Sequence, residues 1–142
     1  MSCNIVTVER QQTAVIKAES PFDRIPQVQQ TARATLASLL PSLGAGPIGA
    51  AVTRWTRPTG SVLPMEIGVI VGKAFASAGE VVCSELPAGR AVHYSMKGGF
   101  ENLPRAWETL FHWLQAEKLT PAGINWEIYG VAENADLYAL LA

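Results

Sequence analysis

Two residues with usable chemistry stand two positions apart in the stretch 125–130, Asn-Trp-Glu-Ile-Tyr-Gly. Strand alternation puts Glu127 and Tyr129 on one face, and Trp126 and Ile128 on the other. A carboxylate among aromatics has its ionised form destabilised by desolvation unless a donor or a cation compensates. A ligand cation can complete the pair, with aromatic faces adding about 0.5–2 kcal/mol each. Alternatively, an acid poised near neutrality can act as general acid or base, with Tyr129 as hydrogen-bond donor.

Little else in the chain offers chemistry. His93 and His112 form no H-x-x-x-H pair and match no cysteine at metal spacing, so both read as structural or surface residues. Cys3 and Cys83 read as two thiols, with one disulfide as the alternative. Ser84 and Ser95 lack a nucleophile elbow. The segment 72–80 (GKAFASAGE) lacks the phosphate-loop pattern and reads as a linker. Neither a metal nor a cofactor is expected.

The positioning elements follow from periodicity. Residues 4–9 and 13–18 alternate around Arg-Gln-Gln as a short hairpin. Ile25, Val28, Ala32, Leu36, Leu39 and Leu40 are spaced as one face of a helix over 23–40, with Asp23 as its cap and Pro26 in its first turn. Strands are expected at 49–56 and 64–71. The order then repeats: strands 80–86 and 90–96 around Pro-Ala-Gly, a helix over 101–116, and strands 124–130 and 136–141. On the second helix Leu103, Trp107, Leu110, Phe111 and Leu114 form the stripe, with Trp107 near the groove end.

Two β-β-α-β-β units, at about 4–72 and 80–142, therefore make one α+β domain over 1–142. Phe-Asp-Arg-Ile-Pro at 22–26 matches Phe-Glu-Asn-Leu-Pro at 100–104, 78 residues on, and the flanking strands match at about 76. The expected fold is an antiparallel sheet with pseudo-two-fold symmetry, two helices on one face and a groove on the axis, where ligand sites are favoured. On this reading Trp126 and Ile128 anchor their strand beneath a helix, and Glu127 and Tyr129 look into the groove on the opposite face. The 76-residue offset matches Ala51, Thr53 and Trp55 to 127, 129 and 131, so Trp55 is a second groove aromatic and the acid is not duplicated. Either His93 or Tyr94 faces the groove. Glu66 reads as a surface or edge charge.

Three stretches, 49–71, 91–114 and 125–130, together resemble the GyrI-like effector-binding domains, the ligand-binding halves of multidrug-responsive regulators of the MerR and AraC types. The resemblance implies a groove for hydrophobic, aromatic or cationic compounds, with Glu127 facing it. The motif H-x-G-P-Y before the second helix appears here as Lys97-Gly98-Gly99-Phe100, so Phe100 stands on the rim without a hydroxyl. No helix-turn-helix segment is evident, which predicts a free-standing effector domain for sensing or sequestration. Some relatives hydrolyse strained cyclopropanoid compounds, which would use Glu127 and Tyr129. A gyrase-inhibitor-type interaction module is a third implied reading, with a homodimer or protein partner.

Composition bounds the rest. With 11 Lys and Arg against 12 Asp and Glu in 142 residues, the chain offers no basic field for nucleic acid. It shows neither a signal peptide nor a membrane-length apolar run, so a cytoplasmic location is expected.

Overall fold

The computed structural model describes residues 3–142; Met1 and Ser2 lie outside the described residues. The elements follow the expected order: β1 (Cys3–Val8), β2 (Gln11–Pro21), α1 (Ile25–Leu39), β3 (Ile48–Trp55), β4 (Val62–Val71), β5 (Val81–Leu86), β6 (Gly89–Met96), α2 (Leu103–Ala116), β7 (Pro121–Tyr129) and β8 (Ala135–Leu141). They form one eight-stranded antiparallel sheet in the order β1-β6-β8-β7-β3-β4-β2-β5. That order is symmetric about the β7–β3 pair, each half of the sheet mirroring the other as a duplication requires.

The expected hairpins do not form. β1 pairs with β6, and β2 pairs with β4 and β5, so the outermost strand of each side comes from the other repeat. Alternation predicts strands but not their neighbours, and here a symmetric exchange wins over local pairing. The exchange also dictates curvature. A flat sheet would hold β1 and β2 about 29 Å apart, six strand spacings. Val8 and Gln11 are only three residues apart, a reach of about 11 Å. The sheet must therefore curl until its two ends approach.

Curling creates two kinds of core. Across the helix-covered face runs a register row, Cys3–Tyr94–Leu137–Glu127–Thr53–Ile67–Ile16–Val81. Leu36 and Ala32 of α1 pack on Ile16, Met65 and Ile67 of one wing. Leu110, Leu114 and Ala106 of α2 pack on Val92, Met96 and Leu137 of the other. Asp23 does not cap α1. It lies in a 3₁₀ turn, Phe22–Arg24, that runs into the helix, and no side chain caps the entrance.

The helix-free, concave face encloses a third core of Val52, Leu86, Ala91 and Trp126. Trp126 is only 2 % exposed and stacks on Tyr138 with ring centroids 5.4 Å apart. Trp126 and Ile128 thus do not lie beneath a helix, as the sequence pattern suggested. They fill the inside of the curl, because a closed-up sheet needs apolar residues on both faces. His93 is on this face, with Nε2 2.8 Å from Asp136, and Glu66 accepts a 2.6 Å hydrogen bond from Ser84. Cys3 and Cys83 are free thiols.

Tight strand packing makes one glycine irreplaceable. A Cβ on Gly68 would overlap the carbonyl of Ala14 in the neighbouring backbone, which cannot move aside. Gly60, in the β3–β4 connection, has φ +63° but open space around it. Gly60→Ala is therefore expected to cost about 1–2 kcal/mol through backbone strain alone. Gly68→Ala is expected to cost about 3 kcal/mol or more, as measured by urea unfolding. Equal losses would contradict this packing.

Candidate functional site

The two helices sit over the wings, α1 on β2 and β4, α2 on β6, which leaves the central strands β3 and β7 between them. The side chains rising from that strip on the helix side are Thr53 and Trp55 from β3, and Asn125, Glu127 and Tyr129 from β7. Glu127 therefore shares the face of the helices, not the opposite one. The expectation failed because the apolar pair in 125–130 serves the inner core, while the polar pair fills the gap that neither helix covers. The register sets Thr53 directly across from Glu127. Thr53, rather than Ala51, is the counterpart of the acid at the symmetry axis.

Glu127 is 2 % exposed, and both its oxygens accept hydrogen bonds. The Trp107 indole Nε1, reaching down from α2, donates to Oε2 at 2.6 Å. The Tyr129 hydroxyl donates to Oε1. Having given its one proton to the carboxylate, the phenol oxygen accepts from Thr53, whose Oγ1 lies 2.8 Å away. Thr53 in turn accepts from Gln29 Nε2 at 3.0 Å and Arg33 Nη2 at 3.1 Å, both on α1. Arg33 also donates to the carbonyls of Val52 and Gly68, and its guanidinium lies 5.3 Å from the Tyr129 ring centre. One connected network thus joins α1, both central strands and α2.

Burial drives the electrostatics. Desolvation pushes the Glu127 carboxyl well above its ordinary range, against the opposing pull of Trp107, Tyr129, Trp55 and, at longer range, Arg33. Desolvation and the neighbouring carboxylate push the Tyr129 phenol far above its usual value. Desolvation also lowers Arg33. The Trp55 indole lies close enough to influence Glu127, yet its N–H has no hydrogen-bond partner in proper geometry. The Oδ1 of Asn125, its register partner, is likewise buried without a partner.

The other expected residues fall into place unevenly. Trp107 stacks on Phe111, at 5.6 Å, on the flank of α2. Phe100 meets Tyr129 edge-on at 5.4 Å, and its backbone N–H is held by the Glu133 carboxylate. Tyr94, not His93, faces the helix side. It lies two strands from Glu127, about 10 Å away, and packs beneath α2 rather than joining the network. Gln29 and Arg33 went unnoticed in the sequence. Their four-residue spacing places both on one stripe of α1, beside the apolar one, which is the signal that would have found them.

Over residues 1–139 the sequence matches the GyrI-like small molecule binding domain. The chain belongs to the GyrI-like family. Among curated proteins none matches. Its fold is that of the EcmrR C-terminal domain, with TM-score 0.77, 14 % identity and 99 % and 97 % of the two chains covered. SAV2435, solved bound to tetraphenylphosphonium, is equally similar at TM-score 0.77, with 11 % identity and 100 % and 94 % covered. A hydrolase from Listeria innocua follows at TM-score 0.65, 11 % identity, with 99 % and 91 % covered. This GyrI-like domain has no helix, among the described residues, long and apolar enough to cross a membrane. Nor do those residues include a His, Cys, Asp and Glu group able to hold a metal ion.

The network makes stability depend on pH through Glu127. Its folded pKa is raised, so its contribution is fully present below the unfolded value near 4.3 and is lost as pH rises through the folded value. Glu127→Gln cannot ionise and keeps an acceptor for Trp107. In urea unfolding the variant should gain on the wild type as pH rises from 4 to 8; a constant difference would contradict the burial of this charge. Tyr129→Phe leaves Glu127 and Thr53 each short of a partner, with an expected cost of about 1–3 kcal/mol, measured in the same way.

Proposed function

We propose that this GyrI-like domain binds a hydrophobic, aromatic or cationic small molecule between α1 and α2, in sensing or sequestration within the cytoplasm. The observation that carries the reading is a carboxylate buried at the axis of the sheet, reached by polar side chains from both helices. Burying an acid is costly, and no apolar core needs one. Glu127 supplies the polar anchor, and Trp107, Tyr129, Trp55 and Phe100 the aromatic surfaces. Tyr94 stands behind α2 and tunes the wall rather than touching the ligand. SAV2435, with the same fold, holds an aromatic cation, which supports the ligand class.

Glu127 itself is covered in this structure. Two open surface clefts, of about 340 and 320 Å³, lie elsewhere: beside α1 at Gln27, Val28 and Thr31, and at the strand edge by Lys17, Pro64 and Glu66. A ligand must therefore displace side chains, Trp107 and Arg33 foremost, which lowers its apparent affinity by the fraction of open molecules.

Hydrolysis is the second reading, favoured by the close pairing of an acid of raised pKa with a phenol. Against it, both carboxylate oxygens are already engaged by Trp107 and Tyr129, which weakens Glu127 as a base toward water. The two readings separate in one experiment. A polycyclic aromatic hit from a thermal-shift screen, at 100 times its Kd, should stabilise the protein by about 2.7 kcal/mol. It should also quench tryptophan fluorescence, lose at least tenfold in affinity with Trp107→Ala, and be recovered chemically unchanged. Recovery with one water added, abolished by Glu127→Gln, would establish the enzyme. Hits indifferent to both substitutions would overturn the site.

A further inference from the structure

We infer that Arg33 is the resident cation of the cleft, and that the ligand is an uncharged aromatic compound carrying a hydrogen-bond acceptor rather than a permanent cation. The inference rests on the reading of the Glu127 cleft as the ligand site. Three observations carry it.

First, the place where a cationic ligand would stack is taken. The Arg33 guanidinium lies 5.3 Å from the Tyr129 ring centre, in cation–π range. It is fixed there by three acceptors, the carbonyls of Val52 and Gly68 and the hydroxyl of Thr53, at 3.1–3.2 Å. Second, the charge is already balanced. Arg33 faces Glu127 through Thr53 and Tyr129 without touching it, so the one acid of the site already has a cation beside it. A further fixed cation would leave that site with net charge and would repel Arg33 at short range. Third, the unmet demand is for neutral hydrogen bonding. Trp55 and Asn125 are register partners across β3 and β7, and the Trp55 N–H and the Asn125 Oδ1 are both buried without a hydrogen-bond partner. An acceptor placed on Trp55 satisfies a donor that no protein group meets in proper hydrogen-bond geometry, and a ligand N–H or O–H would do the same for Asn125.

The test compares two probes with the same three phenyl rings on phosphorus: the methyltriphenylphosphonium cation, and uncharged triphenylphosphine oxide with its P=O acceptor. Affinities are read by tryptophan quenching. The wild type should bind the oxide at least tenfold more tightly than the cation. Arg33→Gln should raise affinity for the cation at least tenfold, whereas Arg33→Lys, which keeps the charge, should not. Trp55→Phe should weaken the oxide several-fold and leave the cation unchanged. A wild type that prefers the cation overturns the inference even if Arg33→Gln does not fold. So does an Arg33→Gln protein with an unaltered preference. These outcomes leave the cleft itself standing as the binding site. If neither probe binds the wild type or any variant, the site reading fails and this inference falls with it.

Discussion

A single buried carboxylate organises this molecule. Glu127 stands at the centre of a row of side chains that crosses all eight strands, and donors from α2 and from its own strand satisfy it. The requirement reaches both repeats. Trp107 descends from the second helix, Tyr129 stands two residues along the same strand, and Thr53, held by Gln29 and Arg33 of the first helix, completes the chain of donors. A purely structural core would place an aliphatic residue here, as it does on either side with Leu137 and Ile67. The central pair alone is polar. Destabilisation tolerated at one place in an otherwise well-packed sheet is the ground on which the binding site is proposed there.

The fold makes such a site available through its symmetry. Each helix covers its own wing, so the axis is left between them, and Glu127 and Thr53 there belong to neither helix's apolar cluster. The exchanged outer strands curl the sheet and give it a second apolar interior around Trp126. The central strands are thus anchored from the concave side. Their other face is free to carry polar groups, because the anchoring has been done elsewhere.

Much of this was legible in the sequence, and the gaps have identifiable causes. Element order, the duplication, both helix stripes and the shared face of Glu127 and Tyr129 all follow from periodicity. The pairing of strands did not, since alternation is blind to which neighbour a strand takes, and the edge strands cross between repeats. Which face the helices cover is not legible from the pattern for a related reason. Trp126 and Ile128 are the more apolar pair, but in a curled sheet the more apolar face of a central strand can be the inside of the curl. Arg33 gives no signal of its own in the sequence, because an arginine on a helix usually faces water. Only the register, which brings Val52, Thr53 and Gly68 under α1, shows that this one turns inward.

Binding at this axis requires a ligand to enter between the helices. Fluorine NMR of protein labelled with 5-fluorotryptophan reads this directly, since four tryptophans report from distinct places. Trp55 and Trp107 border Glu127, Trp126 fills the concave core, and Trp113 lies along α2 away from the axis. On titration with an aromatic ligand, the Trp55 and Trp107 resonances should shift and those of Trp113 and Trp126 should hold still. Movement of Trp113 or Trp126 with Trp55 and Trp107 unmoved would contradict the account.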